Sequence, residues 1–300
     1  MKRIIVFLIL IINCLLVSSC TNGSLIFDSE LRNLKNEYDA LVERKKELEE
    51  ELTYLENRYE NYPEIIAELK DRIANIDSEI EDTYGLFSTL QNDTLKGAVI
   101  VTHYLYDERG WFFKEDVIVG GTLGSGFIIK ESGSYYYILT NNHVIESDDS
   151  ADKESIYVYD YNMNQYTATL MFNDSKYDMA VVRINKNSSY EALKVMKLAD
   201  NNPSVGSDVI AIGQPQGQVN SITIGVVKKY VAITSVSYNV IYHDAWIDHG
   251  NSGGMLLDTN LNVVGINTWG GQNNSYSNHE SLASPVMKIK EFLNSNSFTL

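Results

Sequence analysis

Apolar side chains recur at alternating spacings of three and four residues from residue 28 to residue 84. One series of positions holds Leu31, Tyr38, Lys45, Leu52, Tyr59, Ile66, Ile73 and Ile80, and the other holds Leu34, Leu41, Leu48, Leu55, Tyr62, Leu69, Ile76 and Thr83. Only Lys45 and Thr83 interrupt the two series. A helix with such a stripe buries it against another helix, so the pattern predicts a coiled coil over residues 28–84.

Pro63 interrupts this helical segment, because proline lacks a backbone N–H and clashes with the preceding turn. The segment is therefore expected to form either a kinked rod or a hairpin folded back at Pro63. The apolar stripe also predicts that the segment associates with other copies of itself. The protein is then a homo-oligomer, with dimer and trimer both compatible with the core residues.

Beyond residue 84 the helical spacing gives way to short apolar runs separated by glycine and polar residues. Residues 135–139 and 179–184 are two such runs, each rich in β-branched or aromatic side chains. Runs of this length and composition are typical of strands. The pattern predicts a mainly β domain over residues 85–300. Helical spacing returns only at residues 286–293, where a terminal helix is expected.

The net charge of the chain limits the classes of molecule that it can bind electrostatically. The chain has a net charge of −16, and residues 28–84 supply −10 of it through 18 acidic and 8 basic residues. Such a balance excludes nucleic acid and anionic membrane surfaces as electrostatic partners. Proteins, including further copies of the chain, therefore remain as the expected macromolecular partners.

The N-terminus has the composition of an export signal. Two basic residues follow Met1, an apolar run extends to residue 17, and small residues then lead to Cys20. The run is too short for a stable membrane span. Its ending resembles a bacterial lipobox, which implies a lipoprotein signal peptide over 1–19, a lipid such as palmitate on Cys20, and a tether over 20–27. The protein would then sit on the outer face of a bacterial cell membrane; the alternative is an ordinary secretory signal. Since Cys14 is removed with the signal, no intramolecular disulfide is expected.

A serine among glycines is the strongest chemical signal in the chain. In Gly250-Asn251-Ser252-Gly253-Gly254 the glycines allow backbone N–H groups to converge on a developing oxyanion. The pattern also fits the nucleophile elbow of α/β-hydrolases, in which the acid and the histidine follow the serine. Only 48 of the 300 residues follow Ser252, whereas a candidate histidine and aspartate precede it. That order is the chymotrypsin-type order.

His143 and Asp178 are the upstream candidates. His143 follows the apolar run 135–139 after a few polar residues, and Asp178 directly precedes the run 179–184. Each position taken alone is typical of a structural histidine or a turn aspartate. Together and in this order, they predict a triad in which Asp178 orients His143 and His143 activates Ser252.

Several motifs resemble, in the same order, those of trypsin-like serine proteases of the HtrA/Deg type. They are residues 124–129 (GSGFII), 139–145 (LTNNHVI), 177–182 (YDMAVV), 211–217 (AIGQPQG), 222–227 (ITIGVV) and 263–268 (VVGINT). The resemblance implies a chymotrypsin-like fold of two six-stranded antiparallel β-barrels with the active site between them. It also implies an oxyanion hole at Gly250, Asn251 and Ser252. With 48 residues after Ser252, no PDZ domain is expected to follow.

The same layout places a substrate pocket near Trp246, with Ile266, Asn267 and Thr268 forming one wall. None of these residues is an acid, so we expect cleavage after small or medium apolar residues rather than after Lys or Arg. The sequence as a whole predicts a serine endopeptidase that acts on exported or surface proteins and needs no metal or organic cofactor. The alternatives are a protease similar to glutamyl endopeptidases, with Thr268 and His279 as donors, and an inactive surface scaffold or adhesin with a protease fold.

Overall fold

The computed structural model describes residues 27–58, 63–109, 115–147, 151–214, 221–272 and 279–300. The signal peptide expected over 1–19, the lipidation site Cys20 and nearly all of the tether lie outside the described residues. The described residues form three α-helices: α1 (Phe27–Arg58), α2 (Pro63–Asn92) and α3 (Val286–Ser295). The strands are β1 (Ala98–Arg109), β2 (Glu115–Ser132), β3 (Tyr135–Thr140), β4 (Lys153–Tyr159), β5 (Gln165–Asp174), β6 (Met179–Asn185), β7 (Asp208–Gly213), β8 (Ser221–Ala232), β9 (Asn239–His243), β10 (Met255–Leu257), β11 (Val263–Gln272) and β12 (His279–Pro285).

The twelve strands form two closed antiparallel barrels. The strand order is β1-β2-β3-β6-β5-β4 in the first barrel and β10-β11-β12-β9-β8-β7 in the second. Closure leaves no unpaired strand edge in either sheet. The prediction of two six-stranded barrels is confirmed, and the expected terminal helix is present as α3.

Each barrel has its own apolar interior. In the first barrel Val101, Ile138 and Val182 are fully buried and belong to one cluster. A larger cluster fills the second barrel and continues between the two barrels to Phe127 and Phe292. Because Phe292 lies on α3, the terminal helix closes this second core and is buried along one face.

Helices α1 and α2 pack against each other as an antiparallel hairpin. Lys45 Nζ lies 2.5 Å from Asp77 Oδ1, although 32 positions separate the two residues along the chain. Leu48 and Leu69, both from the predicted stripe, are 1% and 4% exposed. Of the two geometries that the sequence allows at Pro63, the structure therefore has the hairpin. Within the described residues, no helix is both long and apolar enough to cross a membrane.

The second helix does not end where the sequence pattern suggested. The expected boundary between the helical segment and the β domain was residue 84/85, but α2 continues to Asn92. Leu90 near its end is 2% exposed and belongs to the core shared by the two barrels. The heptad pattern therefore ends before the helix does, since Leu90 packs into the core that the two barrels share.

Candidate active site

His143 and Asp178 are joined by two hydrogen bonds on the first barrel. His143 lies in a short 3₁₀ turn, Asn142–Val144, that follows β3, and its side chain is 40% exposed. Its Nδ1 is 2.7 Å from Asp178 Oδ2, and its backbone N–H donates to Asp178 Oδ1 at 3.0 Å. The carboxylate therefore sets the orientation of the imidazole ring and leaves Nε2 as the free ring nitrogen.

The backbone of Asp178 is held in an unusual conformation. Its φ angle is +52°, in the left-handed region that non-glycine residues seldom occupy. The side-chain amide of Asn141 donates to the Asp178 carbonyl at 2.7 Å and to Thr268 Oγ1, on the second barrel, at 3.2 Å. Strained backbone at a site persists only where surrounding contacts hold it. Asn141 supplies one such contact, and its position in the histidine motif was the only signal for it in the sequence.

Tyr238 supports the residue before Asp178. Its hydroxyl donates to the Tyr177 carbonyl at 2.8 Å and lies 2.8 Å from Ser284 Oγ. Burial raises the pKa of Tyr238 to about 12. The Tyr177 hydroxyl in turn donates to Glu291 Oε1 on α3 at 2.8 Å, which raises the pKa of Tyr177. The aspartate loop of the first barrel is thus fastened to the second barrel and to the terminal helix.

Ser252 comes from the second barrel, in a turn stabilised by glycine conformations. Gly250 and Gly253 have φ angles of +99° and +88°. The Gly253 N–H donates to the Asn267 carbonyl at 2.8 Å, which ties the turn to β11. The Ser252 hydroxyl donates to the Thr268 carbonyl at 3.1 Å. In the described part of the chain, Ser252 Oγ is therefore directed to this carbonyl and not to His143 Nε2.

Of the residues expected at the oxyanion hole, Asn251 already uses its N–H group in a hydrogen bond within the turn. The Asn251 N–H donates to the Asp248 carbonyl at 3.0 Å, inside the turn. The Asn251 side chain is buried and packs so closely on Gly213 that a Cβ there would lie 2.1 Å from Asn251 Oδ1. Asn251 is thus a structural part of the turn, and the N–H groups of Gly250 and Ser252 are the oxyanion donors to consider.

The expected pocket residues differ in how far they are exposed to solvent. Ile266, Asn267 and Thr268 are buried on β11, as expected for a wall. Trp246 is 38% exposed, whereas Ile247 is 3% exposed. The side chain buried next to β11 is therefore that of Ile247, and the part that Trp246 takes in the pocket stays a prediction.

Ile247 packs directly against the wall strand. A Cβ built on Gly270 of β11 would lie 2.6 Å from Ile247 Cγ1, so the two segments touch.

Near the histidine, a cleft of about 310 Å³ is lined by Asn142, His143, Glu146, Ser175, Asp178, Ser235 and Trp269. The described residues contain no group of three or more His, Cys, Asp or Glu side chains that could hold a metal ion.

Comparison with known proteins places these features in a family context. Residues 124–266 match the sequence profile of the trypsin-like peptidase domain. The chain is 36% identical over 152 residues to Serine protease HTRA3 of Rattus norvegicus, covering 48% of this chain and 32% of that protein. It is 39% identical over 155 residues to Serine protease Do-like HtrA of Bacillus subtilis strain 168, covering 48% and 33%. A Haemophilus influenzae protein, Probable periplasmic serine protease do/HhoA-like, is 40% identical over 151 residues, covering 49% and 30%.

The similarity extends to a solved structure. The HtrA-type protease AlgW, determined with a tripeptide, superimposes with a TM-score of 0.54 at 26% sequence identity, over 70% of this chain and 62% of that one. The chain spans about a third of the length of the curated relatives it matches. These findings confirm the resemblance to HtrA-type trypsin-like proteases.

Tyr238→Phe tests the contact between the second barrel and the aspartate loop. Loss of the hydroxyl, with its hydrogen bonds to the Tyr177 carbonyl and Ser284 Oγ, should lower the free energy of unfolding by about 1–3 kcal/mol near neutral pH. Since the phenol ionises near pH 10 in the unfolded chain and near 12 in the folded chain, the stability it supports is complete below pH 10 and is lost as the pH rises towards 12. Urea unfolding of both proteins should therefore show a difference that shrinks above pH 10.

The half-exposed Tyr242 on β9 provides the matched control. Tyr242→Phe should change stability little at any of these pH values. A difference between wild type and Tyr238→Phe that stayed constant or widened above pH 10 would contradict the buried, protonated phenol.

Proposed function

We propose that this chain, which contains a trypsin-like peptidase domain of the HtrA type, is a serine endopeptidase with His143, Asp178 and Ser252 as its catalytic triad. The observation that carries the proposal is the 2.7 Å bond between His143 Nδ1 and Asp178 Oδ2, opposite a glycine-flanked serine on the other barrel. Chemically different alternatives, such as a binding module, do not require this pairing.

In the proposed mechanism Ser252 Oγ attacks the carbonyl carbon of the scissile peptide bond. His143 Nε2 takes the hydroxyl proton and returns it to the leaving amine, while Asp178 keeps Nδ1 protonated and stabilises the imidazolium. The N–H groups of Gly250 and Ser252 donate to the oxyanion. For the first step the Ser252 hydroxyl rotates away from the Thr268 carbonyl, to which it donates in the structure, and towards His143.

The substrate pocket is proposed to be shallow and apolar. Ile247 fills the space against Gly270, and no acid stands among Trp246, Ile266, Asn267 and Thr268 to pair with a basic substrate side chain. The Thr268 hydroxyl donates to the Ile266 carbonyl at 3.0 Å, so it is already engaged. This engagement argues against the alternative in which Thr268 binds the carboxylate of a glutamate substrate.

Export and anchoring complete the proposal. Relatives from Haemophilus influenzae and Pseudomonas fulva are named as probable periplasmic proteases, which supports an exported protein acting on exported or surface proteins. The sequence before Phe27 supports lipidation at Cys20. An extended segment over 20–27 reaches about 25 Å at most, so a lipid on Cys20 would hold the start of α1 close to the bilayer.

The hairpin geometry determines where the helical segment would place the protease domain relative to the membrane. Because α1 and α2 are antiparallel, Phe27 lies at the same end of the hairpin as Asn92, where the barrels begin. We therefore propose that the hairpin is a lateral arm, and that the protease domain stays near the membrane. Association of such arms into a homo-oligomer is a separate proposal, since Leu48 and Leu69 are already buried within one chain.

Substitution of the triad tests the activity. Ser252→Ala and His143→Ala should each reduce casein degradation by roughly a millionfold, because the residues act as a unit, and Asp178→Ala should cost somewhat less. The exposed Ser204 offers a matched control, and Ser204→Ala should cleave like wild type. Full activity of Ser252→Ala, or labelling of another residue by a fluorophosphonate, would refute the triad.

Digestion of a peptide library tests the pocket. We expect cleavage after small or medium apolar residues such as Ala, Val and Ile, because Ile247 limits the depth of the pocket. Ile247→Ala should extend the preference to larger side chains such as Leu, Met or Phe, whereas Val205→Ala on an exposed loop should not. Dominant cleavage after Lys or Arg would overturn the apolar pocket, and dominant cleavage after Glu would favour the glutamyl-endopeptidase alternative.

Cys20→Ser tests the anchor. Each buried methylene of an acyl chain contributes about 0.8 kcal/mol, so two or more chains should keep the protein in the membrane fraction and their loss should release it. Cys14→Ser is the matched control and should leave the protein in that fraction. An unmodified mature N-terminus in mass spectrometry, or retention of Cys20→Ser at the membrane, would exclude lipid anchoring at this residue.

A further inference from the structure

Ser125 connects the nucleophile turn to the opposite barrel. It lies on β2 of the first barrel, between two glycines, and is 1% exposed. Its hydroxyl donates to the Gly250 carbonyl at 2.7 Å and accepts from the Gln214 N–H at 2.9 Å. Both partners belong to the second barrel side of the molecule, Gly250 in the serine turn and Gln214 directly after β7. The hydroxyl therefore bridges two backbone groups that have to stay fixed relative to each other.

The backbone of Ser125 makes two more bonds at the same place. Its N–H donates to the Ser252 carbonyl at 2.7 Å. Its carbonyl accepts from Thr140 Oγ1 at 2.7 Å, at the end of the strand that leads to His143. One residue thus links the segment carrying the histidine with the turn carrying the serine.

The surrounding glycines allow this close approach. A Cβ on Gly253 would lie 2.1 Å from the Ser125 carbonyl oxygen, and a Cβ on Gly124 would lie 2.9 Å from the Ser252 carbonyl oxygen. Neither position has room for a side chain without movement of the backbone. The contact between β2 and the serine turn is therefore backbone against backbone, with the Ser125 hydroxyl as its one side-chain bond to Gly250.

These bonds hold the peptide groups next to those that carry the proposed oxyanion donors. Gly250 has φ +99° and no side chain, so its backbone is intrinsically free to rotate. The Ser125 hydroxyl holds the carbonyl of the peptide between Gly250 and Asn251, and the Ser125 N–H holds the carbonyl that follows Ser252. The N–H groups on these two held peptides are those of Asn251 and Gly253. The peptide that carries the Ser252 N–H lies between them, and the peptide that carries the Gly250 N–H directly precedes the first. Rotation of a held peptide would be compensated by its neighbours and would thereby change the direction of the Gly250 and Ser252 N–H groups. Oxyanion stabilisation depends on donors that are already aimed before the reaction.

We infer that Ser125 is a positioning residue, whose hydroxyl keeps the oxyanion donors of the serine turn aligned from the opposite barrel. The inference rests on the proposed peptidase function. Ser125 touches neither the substrate nor the reacting atoms, and it acts through Gly250. Loss of an oxyanion donor lowers kcat by about 10²–10³, so misalignment by loss of the Ser125 hydroxyl should lower kcat about 10- to 100-fold. Because ground-state binding does not use the oxyanion hole, KM should change less than about threefold.

The test compares Ser125→Ala with wild type in the full chain. Steady-state cleavage of a short peptide should show the loss in kcat, and a peptide boronic acid, which forms a tetrahedral adduct with Ser252, should bind more weakly by a similar factor. Thr102→Val, which removes another buried hydroxyl from the first barrel, is the matched control and should leave both values unchanged. Ser125→Cys keeps the side-chain size with a weaker donor and should fall between the two, and it replaces Ser125→Ala if that variant does not fold.

Hydrogen exchange separates this inference from the proposed function. Faster exchange of the amides of residues 250–254 in Ser125→Ala, relative to the amides of the barrel strands in the same variant, is expected whether or not the chain is active. If wild type cleaves nothing and Ser252 is not labelled by a fluorophosphonate, the function fails, and the exchange result alone judges the role of Ser125. Unchanged kcat and unchanged exchange in folded Ser125→Ala, or a loss confined to KM, would overturn the inference.

Discussion

The contact between the two barrels is the constraint on which the whole site depends. His143 and Asp178 belong to the first barrel and Ser252 to the second, so no single sheet holds the three residues together. Buried hydrogen bonds cross the gap instead, from Ser125 to Gly250 and from Asn141 to Thr268. A buried polar group that loses its partner costs about 1–3 kcal/mol, so each bond penalises a displacement of one barrel relative to the other. The contacts that dock the two barrels therefore also align the residues of the site.

The terminal helix takes part in this docking, although it is remote from the chemistry. Phe292 on α3 is fully buried and its ring lies 5.9 Å from that of Tyr177, next to Asp178. The Lys288 ammonium and the Tyr177 hydroxyl hold the pKa of Glu291 below its usual value, so the helix presents a carboxylate to the Tyr177 hydroxyl. The unusual φ of Asp178 is thus supported by apolar packing as well as by hydrogen bonds. A loop in such a conformation requires contacts on more than one side.

The features predicted correctly from the sequence depend on local patterns. Short β-prone runs predicted the strands, and the motifs that resemble HtrA-type proteases implied the two barrels. His143 and Asp178, which lie after and before such runs, line the same cleft in the structure. The features that were missed depend on the direction in which a side chain points or on partners far away in the sequence. Spacing from Ser252 indicated Trp246 but not its neighbour Ile247, which the alternating burial of this segment turns towards β11. The heptad stripe was compatible with a rod or a hairpin, because the pattern records only that a helix needs a partner. No sequence signal identified Tyr238, whose role depends on a carbonyl 61 residues away.

The orientation of the Ser252 hydroxyl indicates that the fold fixes the backbone of the serine turn more strongly than this side chain. Its hydroxyl donates to the Thr268 carbonyl, and a hydrogen bond of this kind contributes about 0.5–1.5 kcal/mol net. Since about 1.4 kcal/mol corresponds to a factor of ten, rotation towards His143 is disfavoured by about tenfold at most. In the proposed mechanism, loss of an oxyanion donor lowers the rate by about 10²–10³, which is considerably more. A single side-chain rotation can therefore be left to thermal motion, whereas the backbone of the serine turn cannot. This difference accounts for the distribution of contacts. Ser125, Asn267 and the flanking glycines all act on the backbone around Ser252, whereas its hydroxyl makes a single hydrogen bond within the described residues.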